Sequence, residues 1–389
     1  MNRKIIAYTT GWVLISEAAC LMLPLICALI YKENCITSFL WSILICLAVG
    51  GAMVFKTPKR KEMRAREGLV IVALSWIALS MFGALPFVFS KSIPNYIDAL
   101  FETVSGFTTT GASILTDVEA LPKAMLFWRS FTHWVGGMGV LVLLLVFLPL
   151  SGGNNMYLMK AESPGPSVSK LVPKVGTTAK ILYGIYVILT LSEVLILKIG
   201  GMGWFEALTL SFGTAGTGGF AILNSGISAY SPYVQNVITI FMILFGVDFS
   251  VYFLILIGNF RSAFRSDEVK LYFGIIISAI VLITINCRSL FESLATTLRH
   301  VAFQVASVIT TTGYMTNDFD LWPEFSKAIL VLLMFFGACA GSTGGGIKVS
   351  RMVIWIKSIA KEVKIALHPK ITCKTTFNGR LVEHATLRT

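Results

Sequence analysis

The chain has 389 residues, of which 55% are apolar and only 13% are charged, and its net charge at pH 7 is +12. A soluble protein of this length needs more charged side chains to cover its surface, so the composition excludes an ordinary soluble domain. Excess Lys and Arg would suit nucleic acid, but here they lie in loops between apolar segments, so no nucleic acid partner is expected.

Apolar segments of membrane-spanning length recur along the chain, and about 20 helical residues are enough to cross a bilayer. Backbone groups in lipid must be paired within a helix, so these segments predict an all-α polytopic membrane protein. The first segment is too long for a signal peptide and is expected to be retained. The predicted spans cover residues 5–30, 39–54, 69–89, 124–148, 181–199, 234–256, 271–287 and 328–347, the last continuing as a helix toward 359.

Lys and Arg cluster in alternate loops, and the intervening loops are poor in Lys and Arg but carry ten of the 20 Asp and Glu residues, Glu102 among them. The basic clusters lie within residues 56–66, 160–180, 261–270 and 357–380. Because basic loops stay on the cytoplasmic side of a membrane, this pattern predicts a cytoplasmic N-terminus and acidic loops outside. Anionic membrane lipid is the expected partner of the basic loops.

A pattern of long helix, short amphipathic segment, polar loop and long helix repeats three times after the first two spans. One register aligns the three loops, because an Asp, Glu or His stands 13 residues before a glycine in each copy. The pairs are Asp98 with Gly111, Glu206 with Gly219 and His300 with Gly313. Each copy begins with too few helical residues to cross a bilayer, so each is predicted to enter from outside and return as a pore helix and loop.

Threonine and glycine in these loops predict a cation filter. Backbone carbonyls and Thr hydroxyls can replace the water around an ion, and glycine permits the backbone turns that aim carbonyls at one axis. Ordinary Gly/Thr turns are the alternative, which three copies in one register disfavour. The predicted potassium filter is Thr109, Thr110, Gly111, Thr217, Gly218, Gly219, Thr311, Thr312 and Gly313, with the ion at Thr110, Gly111, Gly218, Gly219, Thr312 and Gly313.

A fourth polar loop, residues 337–348, interrupts the helix after the third filter loop. Its glycines each disfavour a helix by ~1 kcal/mol, so a flexible break is predicted. We interpret it as a gate below the filter; the alternative is a kink that lets helices pack closely. GSTGGGIK is a poor nucleotide loop, because it lacks the Gly-Lys-Ser/Thr ending. The gate residues are Gly341, Ser342, Thr343, Gly344, Gly345 and Gly346.

Other polar residues give weaker signals. Asp248 lies inside a predicted span and is either functional or a structural hydrogen-bonding group, and the sequence favours neither. The histidines show no metal spacing, and no catalytic set is present, so neither an enzyme nor an organic cofactor is expected.

Several motifs together resemble the membrane subunits of the Trk/Ktr/HKT superfamily of potassium transporters, most closely the bacterial Trk type. They are SGFTTTGAS at 105–113, WVGGMGVLVL at 134–143, AESPGP at 161–166, TGGF at 217–220 and CAGSTGGGIKVSR at 339–351. The resemblance implies potassium uptake across a bacterial cytoplasmic membrane, four pore repeats around one pore, and one key filter glycine in each repeat. It also implies a homodimer on a cytosolic ring of nucleotide-binding, TrkA-like regulatory subunits.

Only three of the four repeats are recognisable, so the pseudo-fourfold pore is expected to lack its fourth unit. We interpret the chain as C-terminally truncated and as needing a fourth repeat for transport. A sodium- or proton-coupled potassium symporter is the alternative to a channel-like pore, but the repeats share one orientation and the filter loops carry no acid. The predicted units are 1–66 (two helices and a basic loop), 67–150, 151–265 and 266–366 (repeats one to three), and 367–389 (the start of repeat four).

Overall fold

The computed structural model describes residues 2–55, 58, 65–139, 175–368, 376–378 and 380–381. These residues are overwhelmingly helical, and the strands among them are a two-residue antiparallel pair, β1 (Thr376–Phe377) and β2 (Arg380–Leu381). The predicted all-α polytopic fold is confirmed. Residues 140–148 of the predicted span 124–148, the AESPGP motif and most of 367–389 lie outside the described residues. Within that span the helix that begins at Lys123 ends at Gly137, so a helix unbroken from 124 to 148 is not present.

Fifteen α-helices are described over these ranges. Two short 3₁₀ turns, at Arg288–Leu290 and Phe319–Leu321, flank α13 in the chain. The helices are α1 Arg3–Tyr31, α2 Ile36–Val54, α3 Ala65–Gly83, α4 Leu85–Phe89, α5 Tyr96–Phe107, α6 Lys123–Gly137, α7 Val175–Ile199, α8 Trp204–Ala215, α9 Pro232–Phe245, α10 Phe249–Leu256, α11 Phe260–Phe264, α12 Asp267–Asn286, α13 Leu294–Ile309, α14 Glu324–Phe335 and α15 Val349–Leu367.

Five apolar segments within the described residues are long enough to cross a membrane as helices. They correspond to α1, α2, α3 with α4, α7 and α12, and a sixth is counted if the bent pair α9–α10 forms one span. The protein is therefore a multi-pass membrane protein, as predicted from hydropathy. α1 and α2 form a close hairpin, because a Cβ on Gly11 would lie 2.9 Å from the carbonyl oxygen of Gly50.

The hairpin loop between α1 and α2 also fixes the start of α6. One carboxylate oxygen of Glu33 accepts the amide of Lys123 at 2.6 Å, and the other accepts that of Ala124 at 3.0 Å. The first amides of a helix have no partner within it, and a carboxylate there also suits the helix dipole. The two leading helices are thereby attached to α6.

The prediction of one continuous helix over 234–256 is wrong. α9 ends at Phe245, α10 begins at Phe249, and their axes differ by 90°. Asp248 caps the second helix, accepting the Ser250 amide at 2.9 Å. Gly246 and this capping side chain end one helix and start another, which the run of apolar residues does not reveal.

The predicted continuous span 328–347 is also wrong. α14 ends at Phe335 and α15 begins at Val349, and the chain between them is a loop. The expected glycine-rich interruption is thus present, but the chain is not helical over the second half of the predicted span. No continuous helix over this stretch could accommodate Gly341 and Gly346, whose φ angles are 80° and 69°.

Three short helices, α5, α8 and α13, each lead into one of the predicted filter loops. α5 and α8 both pack against α6, and α13 packs against α9 and α12. Their inner ends therefore come together in the middle of the helical bundle, which places the three loops beside one another. The division of the chain into repeats remains a prediction.

Candidate pore site

The three loops leave their helices with the same backbone turn. Thr109, Thr217 and Thr311 have φ angles of 54°, 52° and 60°. In each loop the next amide returns to the carbonyl five residues earlier, at 2.9, 3.0 and 2.9 Å. This is the geometry of a helix end that normally uses glycine at the left-handed position.

A β-branched residue in the left-handed region is strained, and such strain persists only where the surroundings impose it. Six residues other than glycine have positive φ in the described chain, and three of them are these threonines. The same strained residue thus recurs at the same register in all three loops.

The glycine two residues later is also left-handed in every loop. The φ angles of Gly111, Gly219 and Gly313 are 77°, 81° and 85°. A Cβ on Gly111 would overlap the carbonyl oxygen of Gly218, and one on Gly219 would overlap that of Thr312. No described atom comes within 4 Å of the corresponding position at Gly313. Loop one therefore packs on loop two, and loop two on loop three.

Hydroxyl groups line the turns of loops one and three. The Thr108 and Thr110 hydroxyls lie 2.8 Å apart, and those of Thr310 and Thr312 repeat this pair at 2.8 Å. Gly218 takes the corresponding position in loop two. The loops thus concentrate uncharged oxygens, which is the donor set that a monovalent cation needs when it leaves water.

The glycine-rich segment between α14 and α15 forms a closed loop, residues 336–348. Its ends are joined where Gly337 donates to the Ile347 carbonyl at 3.0 Å and Ile347 donates to the Phe335 carbonyl at 3.1 Å. The Lys348 ammonium donates to the Gly344 carbonyl within the loop. The predicted gate residues therefore belong to one compact unit.

This 336–348 loop is seated in the bend between α9 and α10. Cys339 donates to the Gly246 carbonyl at 3.0 Å, and Thr343 donates to the Phe245 carbonyl at 3.4 Å. The bend leaves carbonyls without helical partners, and the loop supplies their donors. The Glu268 carboxylate, at the start of α12, also holds the 336–348 loop, because it accepts the amide of Ala340 at 2.6 Å.

The 336–348 loop also contacts the filter loops. The Thr217 hydroxyl donates to the Thr343 carbonyl at 3.0 Å, and the Gly345 amide donates to the Thr311 hydroxyl at 2.7 Å. Two of the three strained threonines are thus bonded to the predicted gate. Ser342 differs, since its hydroxyl donates to the Cys339 carbonyl and closes a turn inside the loop.

The outer segments of loops one and two are joined by Asn224. Its side chain donates to Asp117 at 2.7 Å and accepts the Val118 amide at 2.9 Å, and its own amide donates to Glu119 at 2.9 Å. The hydrogen bond from Asn224 is the main reason that the pKa of Asp117 lies below its ordinary value. Packing of the two loops therefore continues from the glycines to the surface.

The sequence reasoning missed a buried ion pair behind the loops. The charge pattern predicts Glu102 in an outer loop, but it lies in α5, 1% exposed, and pairs with Arg129 of α6 at 2.5 Å. A signal was available, because an Arg inside a predicted span requires a partner. Glu268 and Lys348, which hold the 336–348 loop, were also missed.

Comparisons with known proteins agree with this arrangement. A sequence model of the TrkH family, described as a cation transport protein, matches residues 36–278 and 269–389. The Trk system potassium uptake protein TrkH of Salmonella typhimurium is 36% identical over 388 residues, covering 98% of this chain and 80% of that protein. TrkG of Escherichia coli K12 is 30% identical, covering 99% and 81%.

A solved structure is similar over the same extent. The crystal structure of the potassium transporter TrkH from Vibrio parahaemolyticus matches with a TM-score of 0.87 at 28% identity, covering 99% of this chain and 81% of that one. The likeness therefore extends over nearly the whole chain.

Proposed function

The chain belongs to the TrkH family of cation transport proteins, and we propose that it carries potassium ions into a bacterial cell across the cytoplasmic membrane. The relatives named above are potassium uptake proteins, which supports the choice of ion. The observation that carries the mechanism is the repeated backbone of the three loops. In each loop a left-handed Thr is followed two residues later by a left-handed Gly, at 109–111, 217–219 and 311–313.

The three loops act as the selectivity filter. Carbonyl and hydroxyl oxygens around Gly111, Gly219 and Gly313 take the place of the water that a potassium ion loses on entry. The strained threonines and the close contacts between loops keep these oxygens from collapsing onto a smaller ion. Potassium is substrate here, not a resident cofactor.

Substitution of Gly313 by Ser in the full-length protein tests this role. A side chain at φ 85° must shift the loop, so the ratio of potassium to sodium permeability should fall in reconstituted vesicles. Gly258→Ser is the matched control, because Gly258 also has positive φ (77°) and free space but lies after α10. An unchanged permeability ratio in the Gly313 variant, or an equal fall in the control, would refute the filter assignment.

The 336–348 loop acts as the gate. Its bonds to Thr217 and Thr311 support a position directly against the filter loops, and its glycines permit it to move without breaking a helix. Flux through single proteins, recorded before and after a disulfide locks the loop to the α9–α10 bend, tests this assignment. Flux that persists with the loop locked would contradict it.

Movement of potassium is proposed to follow its electrochemical gradient. The residues proposed to line the filter, 108–113, 216–221 and 310–315, include no Asp or Glu, whereas coupled transporters place ionisable groups beside their substrate. Potassium flux at fixed voltage, with and without a proton or sodium gradient, separates this from symport. Flux that requires either gradient would establish the coupled alternative.

The orientation and partners follow the same proposal. The N-terminus lies in the cytoplasm, and the amide of Asn2 donates to Glu67 in the first turn of α3 at 3.0 Å, which supports the starts of α1 and α3 being on one side. The protein acts as a homodimer with a cytosolic nucleotide-binding regulatory subunit. Co-purification from native membranes with mass measurement of the intact complex tests both partners.

A further inference from the structure

Arg129 is a buried cation that contacts loop two directly and is connected to loop one through Glu102. Its side chain is 4% exposed. Its Nε lies 2.5 Å from the Glu102 carboxylate, and its Nη1 donates to the Ala221 carbonyl at 2.9 Å. Its guanidinium carbon is 3.6 Å from the centre of the Phe220 ring. Phe220 and Ala221 directly follow Gly219, so this one side chain holds the outer part of loop two.

Glu102 carries the connection to loop one. Beyond Arg129, its carboxylate accepts the hydroxyl of Ser113 at 3.0 Å and the amide of Ile114 at 3.0 Å. These two residues follow Gly111 by two and three positions. The pair therefore binds equivalent segments of loops one and two, just after the glycine that each loop contributes to the filter.

Phe220 extends the connection to loop three. Its ring contacts the Arg129 guanidinium and also stacks on His133, one turn further along α6, at 4.0 Å. Its carbonyl accepts the hydroxyl of Tyr314, which directly follows Gly313, at 3.1 Å. A single network of buried groups thus links the residues behind all three glycines.

A role in stability alone does not account for this arrangement. Replacing a buried ion pair by apolar side chains is often neutral or stabilising, so the pair is weak evidence of a stability function. What Arg provides is a planar fork that donates to a carboxylate and a carbonyl together while its face stacks on an aromatic ring. Lysine supplies the charge but not this geometry.

We propose that Arg129 is a positioning residue that sets the separation of the first and second filter loops and thereby the ion preference of the pore. The inference rests on the proposed filter function. Discrimination between cations depends on where the oxygens stand, so a residue that fixes two loops relative to each other determines selectivity without touching the ion.

Arg129→Lys in the full-length protein is the main test, measured in two independent ways. In vesicles, the ratio of potassium to sodium permeability should fall about tenfold, which corresponds to ~1.4 kcal/mol of differential stabilisation. In detergent, hydrogen exchange should rise in peptides covering 112–118 and 219–226. Thr190→Val is the matched control, because it removes the buried hydrogen bond from Trp134 of the same helix α6 to α7 without contacting a filter loop.

The outcomes separate the inference from the function on which it rests. Lower selectivity and faster exchange in Arg129→Lys, with the control unchanged in both, support the proposal. Unchanged selectivity and exchange, or an equal response in the control, overturn it. If the parent protein conducts no cation but hydrogen exchange still rises in the variant, Arg129 does fix the two loops relative to each other, and it is the proposed function that fails. If Arg129→Lys does not fold, the neutral pair Arg129→Met with Glu102→Leu replaces it, since it leaves no buried charge unpaired.

Discussion

The contacts of Gly219 and Gly313 predict different costs for the same substitution. An alanine at Gly219 would place its Cβ over the carbonyl oxygen of Thr312, whereas an alanine at Gly313 would meet no described atom within 4 Å. Both positions have left-handed backbone, with φ angles of 81° and 85°. The two substitutions therefore share the backbone cost and differ in the steric cost.

The magnitudes follow from these two terms. Left-handed backbone costs an L-residue ~1–2 kcal/mol, which applies to both variants. Overpacking against fixed backbone adds about 1–3 kcal/mol at Gly219 alone, because loop three must move away from loop two. Gly219→Ala should destabilise the protein by about 2–5 kcal/mol in all, and Gly313→Ala by about 1–2 kcal/mol.

Unfolding of the purified protein in detergent, followed with increasing denaturant, measures the difference. Gly258→Ala supplies the reference for backbone cost, since Gly258 has φ 77° and no described atom lies within 4 Å of a Cβ placed there. Gly313→Ala should match this reference and Gly219→Ala should exceed it. Equal losses at Gly219 and Gly313 would refute the packing of loop two on loop three.

Three further predictions concern the surroundings of the loops. Lys348→Met removes the donor to the Gly344 carbonyl, so basal potassium flux in vesicles should rise. The expected rise is about fivefold, because one lost hydrogen bond contributes ~1 kcal/mol. Unchanged flux would show that Lys348 does not restrain the 336–348 loop. Asp248→Ala should lower the stability to denaturant by about 1 kcal/mol and Asp248→Asn much less, because Asn also caps helices; equal losses would mean that the charge itself is needed. The depressed pKa of Asp117 stabilises the fold above the ordinary carboxyl pKa of 3.8, and this contribution is lost as the pH falls through the lower folded pKa. The melting temperature of Asp117→Ala should accordingly differ from that of the parent by a constant amount from pH 5 to 7 and converge with it only below pH 3.8, whereas convergence above that pH would contradict the assignment.

The three short helices and the polar loops that follow them could be located from the sequence because their signals are local. Each pore helix is short and amphipathic, and the Thr and Gly of its loop follow at a fixed distance, so Gly111, Gly219 and Gly313 could be aligned without a structure. The family that this pattern suggested is confirmed by the comparisons. The role of each loop residue remains a prediction.

The bend between α9 and α10 could not be predicted in the same way. A single glycine such as Gly246 disfavours a helix by only ~1 kcal/mol, which a long apolar segment easily outweighs. The bend is stabilised by bonds from Thr343, which is 98 residues away from Phe245. A local pattern contains no information about a partner at that separation.

The ion pair behind the filter illustrates the same limit for a charged group. Glu102 stands 27 residues before Arg129, among other acids that do lie near the surface. Its position in the chain therefore suggested an outer loop, and only the packing of α5 against α6 shows that it is buried. The presence of Arg129 in an apolar helix was the one available indication.

The hydrogen bonds that hold the 336–348 loop in the α9–α10 bend also determine what must happen if the loop moves out of it. While seated, the loop supplies donors to the carbonyls of Phe245 and Gly246, which the bend has removed from their own helix. Lipid offers no replacement donor, and an unpaired buried carbonyl costs about 1–3 kcal/mol. Water must therefore enter as the loop leaves. Ion conduction in this protein would then respond to osmotic stress, because solutes that withdraw water from the cavity favour the seated loop.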